Sequence, residues 1–144
     1  MYVTGTYKHN LDAKQRLTLP ADFRRQIDGT VYLVKIMDCV YGFTPEGHKA
    51  YVESLFKADG GFDPSIRRHE ALQRAINAQT VMSDVDSAGR VSLSKMSAVT
   101  LDMLGREVAI VGNRDHFEIW NAQTFEANQA ALTDDDFASL MYRG

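Results

Sequence analysis

Asp12-Ala13-Lys14-Gln15-Arg16-Leu17-Thr18-Leu19-Pro20 and Asp86-Ser87-Ala88-Gly89-Arg90-Val91-Ser92-Leu93-Ser94 are two versions of one segment, 74 positions apart. Both read Asp, three residues, Arg, an apolar residue, a hydroxyl residue, Leu, and then a helix-start residue. A repeat of this length in a chain of 144 residues makes it two copies of one small unit. Each copy sets an Arg in a turn between strand-like segments, and the first adds Lys14. Turns carried on a rigid sheet are where binding groups are presented.

The repeat continues beyond the turns. Phe23 and Ile27 stand at helical i, i+4 spacing in Ala21–Ile27. Met96, Val99 and Met103, joined by Leu104, predict one face of a matching helix, with Ser94 able to cap it. Gly29 and Gly105 follow these helices, as glycine does at helix ends. Val31–Val34 and Val108–Val111 predict buried strands. Tyr41–Thr44 and Phe117–Trp120 predict a second strand in each copy. Helices near 45–56 and 122–132 close the units. The order in both is strand, turn, strand, helix, strand, strand, helix, with the second unit about three residues longer around its first helix.

Between the copies, Asp63-Pro64-Ser65 predicts a helix start, with Asp as N-cap and Pro at the first helical position. Ile66, Leu72, Ala75 and Ile76 predict its buried stripe, and Arg67, Arg68 and Arg74 lie off it. Ala58–Phe62 is the linker. Thr133 ahead of Asp134, Asp135 and Asp136 predicts the cap and acidic first turn of a short last helix. The expected organisation is a first repeat over 1–57, a linker and connecting helix over 58–79, and a second repeat with a short tail over 80–144. Half of this chain would be marginal alone, so the two halves are expected to share one core.

Cys39 is the only cysteine, so no intrachain disulfide forms, which fits a reducing cytosol. No secretory leader or membrane-length apolar run is evident, so a membrane partner is not expected. The net charge of −3 argues weakly against a polyanion partner. The distribution argues less: residues 1–100 carry a net of +2 and residues 101–144 a net of −5. Several protomers presenting their turns side by side would make up for a weak patch on each one.

The side-chain chemistry points to binding rather than catalysis. His9, His48, His69 and His116 are scattered without metal-ligand spacing. Cys39 reads as a buried, inert thiol, and no Gly-x-Ser-x-Gly elbow is present. Gly60-Gly61 belongs to a linker, and Trp120 reads as a packing residue. No enzyme activity, cofactor or metal is therefore expected. Asp12 and Asp86 are assigned to stabilising the turns, since Asp bonds local backbone there. Lys14, Arg16 and Arg90 are assigned to contacting DNA: Arg can bind phosphate or guanine in bidentate fashion, and Lys acts as a point charge. Because Ala88 stands where the first turn has Lys14, Arg16 is expected to matter more than Arg90.

At these turns the chain resembles the MraZ family, bacterial transcriptional regulators related to AbrB-like DNA-binding proteins. Tyr7–Asp12 with Arg16–Arg24 resembles the family's first motif. Asp86–Arg90 with Val111-Gly112 and Phe117–Trp120 resembles its second, and the likeness spans nearly the whole chain. It implies an α+β fold of two tandem pseudo-symmetric swapped-hairpin β units forming a double-split β-barrel with peripheral helices. It further implies a homo-oligomer, a ring, that sits on the nucleoid in the cytoplasm. The ring would bind direct repeats of double-stranded promoter DNA and repress the division and cell-wall gene cluster. The family's Asp-x-x-x-Arg residues match Asp12 and Arg16, and Asp86 and Arg90; Lys14 matches its basic residue in the first motif. Two departures stand out: Gln15 replaces the usual Gly, at a cost of about 1 kcal/mol if φ is positive there, and Ser94 replaces Pro. The alternatives are an antitoxin-like repressor of its own operon, or a β-barrel assembly protein that binds protein through Arg16 and Arg90.

Overall fold

The computed structural model describes residues 1–142. The predicted order of elements appears twice. The first copy comprises β1 (Thr6–Asn10), β2 (Arg16–Thr18), α1 (Ala21–Arg24), β3 (Thr30–Ile36), β4 (Cys39–Phe43) and α2 (Pro45–Ser54). A single 3₁₀ turn (Lys57–Asp59) and helix α3 (Arg67–Gln79) link it to the second copy. That copy comprises β5 (Val81–Asp84), β6 (Arg90–Ser92), α4 (Ala98–Leu104), β7 (Glu107–Asn113), β8 (His116–Asn121) and α5 (Ala122–Ala130). Helix α6 (Asp134–Met141) follows, and Arg143 and Gly144, the end of the predicted tail, lie outside the described residues.

The copies exchange strands. A six-stranded antiparallel sheet runs β1-β7-β8-β4-β3-β5, so each copy's first strand pairs with the third strand of the other. The second strands, β2 and β6, pair as a separate ladder with Leu17 opposite Val91. Tyr41 faces Glu118 where β4 meets β8. Leu17 and Val91 are equivalent by the 74-residue repeat. Tyr41 and Glu118 are equivalent at a spacing of 77, because the connection from β6 to α4 (Leu93–Ser97) is three residues longer than that from β2 to α1 (Leu19-Pro20). A pseudo-two-fold axis therefore passes through both pairs. Neither half can satisfy its own first strand, which is why the two fold as one body.

The core lies between the six-stranded sheet and the β2–β6 ladder. Leu17, Leu19, Phe23, Val31, Leu33, Val40, Val91, Leu93, Leu104, Val108, Ile110, Phe117 and Ile119 are each no more than 1% exposed there. Gly42 sits opposite Phe117, whose ring fills the space where a Cβ would stand, at 2.2 Å. The other face of the sheet carries α2, with Phe43 between His48 and Tyr51. Burial on both faces explains the near-continuous apolar runs in β3 and β7. The ladder is tied to the sheet by matching side chains: the Thr18 N–H donates to His9 Nε2 at 3.4 Å, and the Ser92 N–H to Ser83 Oγ at 2.9 Å.

Three expectations are corrected. Helix α3 begins at Arg67, not at Pro64: the Asp63 carboxylate accepts from the Ser65 N–H and hydroxyl, closing a turn ahead of the helix. Three of the four residues of its predicted buried stripe are turned outward. Ile66, Leu72 and Ala75 are exposed, while His69 is buried and Gln73 and Ile76 half-buried. The period was read correctly, but the small apolar residues occur on two faces of α3, and packing chose the aromatic His69, which stacks among Phe56 and Phe62. Helix α4 is capped by Ser97, whose hydroxyl accepts from the Thr100 N–H, and not by Ser94; Val99 is 73% exposed, and Thr100 takes the buried position. The cap predicted at Thr133 is present and is reciprocal: its hydroxyl accepts from the Asp136 N–H, and the Asp136 carboxylate accepts from the Thr133 N–H.

Candidate nucleic-acid interface

Each repeat turn is a clasp between one Asp and one Arg. In the first, Asp12 Oδ1 accepts from the Lys14 and Arg16 N–H groups, each at 2.9 Å, and Oδ2 accepts from Arg16 Nε at 2.8 Å. In the second, Asp86 Oδ1 accepts from the Ala88 and Arg90 N–H groups at 2.9 Å, and Oδ2 from Arg90 Nε at 2.8 Å. The Arg backbone N–H, and then its guanidinium, hold both carboxyls below the usual carboxylate range. The clasp uses only the Nε face of each guanidinium. Its two terminal amino groups, a bidentate fork, make no hydrogen bond to protein among the described residues.

The turns are coupled. The Leu93 N–H donates to the Gln15 carbonyl at 2.8 Å, and the Leu19 N–H to the Gly89 carbonyl at 2.9 Å. Gln15 and Gly89, equivalent in the repeat, both take the left-handed conformation, with φ of 59° and 77°. Gln15 therefore occupies a glycine conformation, and the turn keeps the geometry of its partner. Together the ladder and these bonds set Arg16 opposite Ser92 and Arg90 opposite Thr18. Both forks sit at one end of the molecule, related by the pseudo-two-fold axis. Lys14 is exposed beside Arg16.

Arg24 completes the second turn, a role the sequence did not disclose. It ends α1 of the first copy, yet lies over Gly89 of the second. Its Nη1 is 3.5 Å from the Ala88 carbonyl, and a Cβ on Gly89 would stand 2.2 Å from that nitrogen. Arg24 Nε is buried with no hydrogen-bond partner among the described residues. Where the first turn carries Lys14 on its own strand connection, the second receives a cation from the opposite copy. The first turn lines a cavity of about 450 Å³ together with Asp102 and Arg106 of the second copy, whose charges are opposite. The two turns are thus closer in charge than their own residues suggest. Only the strand exchange brings Arg24 to Gly89, 65 positions away, so no local signal could have found it.

The remaining reactive groups lie elsewhere. His116 is buried between Asp115 and Glu118, at 2.9 and 2.7 Å, and stacks on Tyr41. Burial opposes its proton, but the Glu118 and Asp115 bonds outweigh burial and raise its pKa. Glu118 also accepts from Asn113 Nδ2 and Trp120 Nε1, each at 2.9 Å. Cys39 is buried, and burial pushes its thiol well up. Among the described residues no group of three or more His, Cys, Asp or Glu is placed to hold a metal ion, and no helix is long and apolar enough to cross a membrane.

Paired Asp–Arg clasps on two strand-exchanged β units define an α+β protein of the tandem swapped-hairpin kind. The family model of the MraZ protein, described as antitoxin-like, matches residues 2–68 and 76–143, one match on each copy. The chain belongs to the MraZ family. It is 31% identical to a protein of Ligilactobacillus salivarius over 95% of this chain and 94% of that one. It is 33% identical to a protein of Corynebacterium urealyticum over 94% and 91%, and 30% identical to one of Mesoplasma florum over 100% and 98%. All three relatives are named transcriptional regulator MraZ.

Proposed function

We propose that this chain is a transcriptional regulator that binds double-stranded DNA sequence-specifically through Lys14, Arg16, Arg90 and Arg24. It acts as a homo-oligomer on closely spaced direct repeats and represses the division and cell-wall gene cluster from the nucleoid. The observation that carries this reading is the pair of clasped turns. Asp12 and Asp86 fix two guanidinium forks by the Nε side and leave the terminal amino groups for a partner. A fork held this way has lost its rotamer freedom before binding, so less is lost on contact. Its geometry suits guanine O6 and N7 or a phosphate. The names of the relatives supply the regulatory class, and the family resemblance supplies the target cluster and the repression. Each protomer's patch is small and the overall charge is −3, so affinity is built by several protomers acting on adjacent sites.

The experiment is a mobility-shift assay of the full chain on the DNA upstream of its own gene, with a scrambled duplex of equal length as competitor. Preferential retention of the upstream DNA, lost in Arg16→Ala, is the expected result. Equal retention of both duplexes would remove the sequence-specific reading.

A further inference from the structure

A cavity of about 620 Å³ opens between α2 and α3, over Tyr32 of β3. Tyr32, Val52 and Phe62 give it apolar walls. The two rings are held in place by their neighbours. Tyr32 stands edge-on to His48, with 5.2 Å between ring centroids, and Phe62 meets Phe56 at 5.2 Å and stacks on His69 at 6.1 Å. The cavity shares no residue with the clasped turns.

His48 lines this cavity and is only 6% exposed. Burial lowers its pKa, so the ring is neutral at neutral pH. The Thr80 hydroxyl donates to the Ile76 carbonyl at 2.8 Å, so its oxygen accepts from His48 Nε2 at 3.1 Å. A neutral imidazole carries one proton, and this bond places it on Nε2. Nδ1 is then a bare acceptor, and it makes no hydrogen bond to protein among the described residues. It also keeps some contact with solvent, because Arg24 Nε is the one fully sealed polar side-chain atom without a partner among them. A nearly buried acceptor at a cavity wall calls for a donor from outside the chain.

The other polar groups extend this demand. Gln73 and Asn77, one helical turn apart on α3, bring two carboxamides to the same cavity. Each offers both donors and an acceptor, and neither is engaged by protein among the described residues. Lys49 and Glu53, one turn apart on α2, line it with opposite charges and do not pair with each other. The lining as a whole therefore carries no net charge.

We infer that this cavity binds an uncharged purine of the adenine type, as the free base or its nucleoside. The exocyclic amino group donates one hydrogen to His48 Nδ1. The Gln73 and Asn77 amides take the other hydrogen and a ring nitrogen, the pairing these side chains make with adenine in DNA. The flat ring system lies against Tyr32 and Phe62, which favour any base face. The balanced Lys49 and Glu53 suit ribose hydroxyls better than a phosphate. The inference goes beyond the proposed function and does not depend on DNA binding.

Equilibrium dialysis of the full chain against radiolabelled adenosine tests it, with adenine, inosine and AMP as competitors. Saturable binding of one adenosine per chain below about 1 mM is expected. Adenine should compete, and its strength relative to adenosine tells whether the sugar takes part. Inosine puts a carbonyl where adenosine has the amino group, against the bare His48 Nδ1, and should compete at least about tenfold more weakly. Gln73→Leu with Asn77→Leu should weaken adenosine by about tenfold or more, and Gln123→Leu on α5 should not. No saturable binding, equal competition by inosine, AMP binding more than about tenfold tighter than adenosine, or unchanged affinity in the double variant each overturns the inference. If the double variant fails to fold, photolabelling of the wild type with azido-adenosine decides the matter. Label on Tyr32, Phe62 or the facing sides of α2 and α3 supports the site, and label elsewhere overturns it.

Discussion

Arg24 rests on Gly89: the guanidinium that ends the first copy's helix occupies the space a side chain on the second copy's turn would need, 2.2 Å from the ideal Cβ position. Gly89 is thus required twice, by its φ of 77° and by this close approach. Its counterpart Gln15 has a φ of 59° and borders the cavity lined by Leu101, Asp102 and Arg106.

This asymmetry predicts opposite outcomes for exchanging the two residues. Gln15→Gly relieves a left-handed residue that costs about 1–2 kcal/mol and adds about 0.4–1 kcal/mol of unfolded-state entropy. The expected result is a thermal midpoint equal to the wild type or a few degrees higher. Gly89→Gln is expected to lower the midpoint by several degrees and displace Arg24. Thermal melts of the two variants check this; a clear loss for Gln15→Gly would contradict it.

For DNA binding, the presence of Arg24 narrows the difference expected from the turn residues alone. Arg16→Ala and Arg90→Ala should each weaken operator binding, by roughly 1–3 kcal/mol for each fork lost. Arg24→Ala should weaken it as well, in contrast to Lys57→Ala on the distant 3₁₀ turn. Fluorescence anisotropy on a labelled operator measures all four. Unchanged affinity for Arg16→Ala in a folded protein would contradict the assignment of the turns.

The His116–Glu118 pair predicts the pH dependence of stability. The pKa of His116 is raised, although burial alone would lower it, so its contribution is full below its ordinary 6.5 and fades as pH rises through the native value. That of Glu118 is lowered, although burial alone would raise it. Its contribution is therefore full above its ordinary 4.5 and fades as pH falls through the native value. The pair stabilises most between those two ordinary values. Denaturant melts should show His116→Gln losing the decline on the alkaline side. Glu118→Ala leaves a buried imidazolium and two donors short of a partner, for about 3–5 kcal/mol. A wild-type stability that rises steadily from pH 6 to pH 9 would contradict this account of the pair.

Much of this architecture was legible in the chain. The Asp-x-x-x-Arg repeat located both clasps, and the switch from period-two to helical patterning located the elements on either side. The three-residue difference between the copies, expected around the first helix, lies in the connection ahead of it, Leu93–Ser97 against Leu19-Pro20. The strand exchange came only from the family resemblance, because a pairing partner is a long-range choice that local propensity does not encode. Arg24 was illegible for the same reason. The outer face of α3 was misread because an apolar stripe predicts burial only when something covers it, and among the described residues nothing does. Ser94 was misread as a cap because Ser97, three residues on, serves equally well, and the backbone chose the later start.

The central claim is that the clasped turns of several protomers act together on DNA. If about three or four protomers each bring Lys14 and Arg16 to phosphates, on the order of 6–8 phosphates are neutralised, giving a log–log salt slope of about −5 to −7. Moving one site by half a helical turn, roughly 5 base pairs, rotates it away from the others. The decisive measurement is a titration of the full chain, at several salt concentrations, on three duplexes: the natural repeats, one repeat alone, and repeats separated by that insertion. The account predicts the steep slope on the natural repeats and much weaker binding to the other two. A slope near −1, or equal affinity for one repeat and for several, would contradict it.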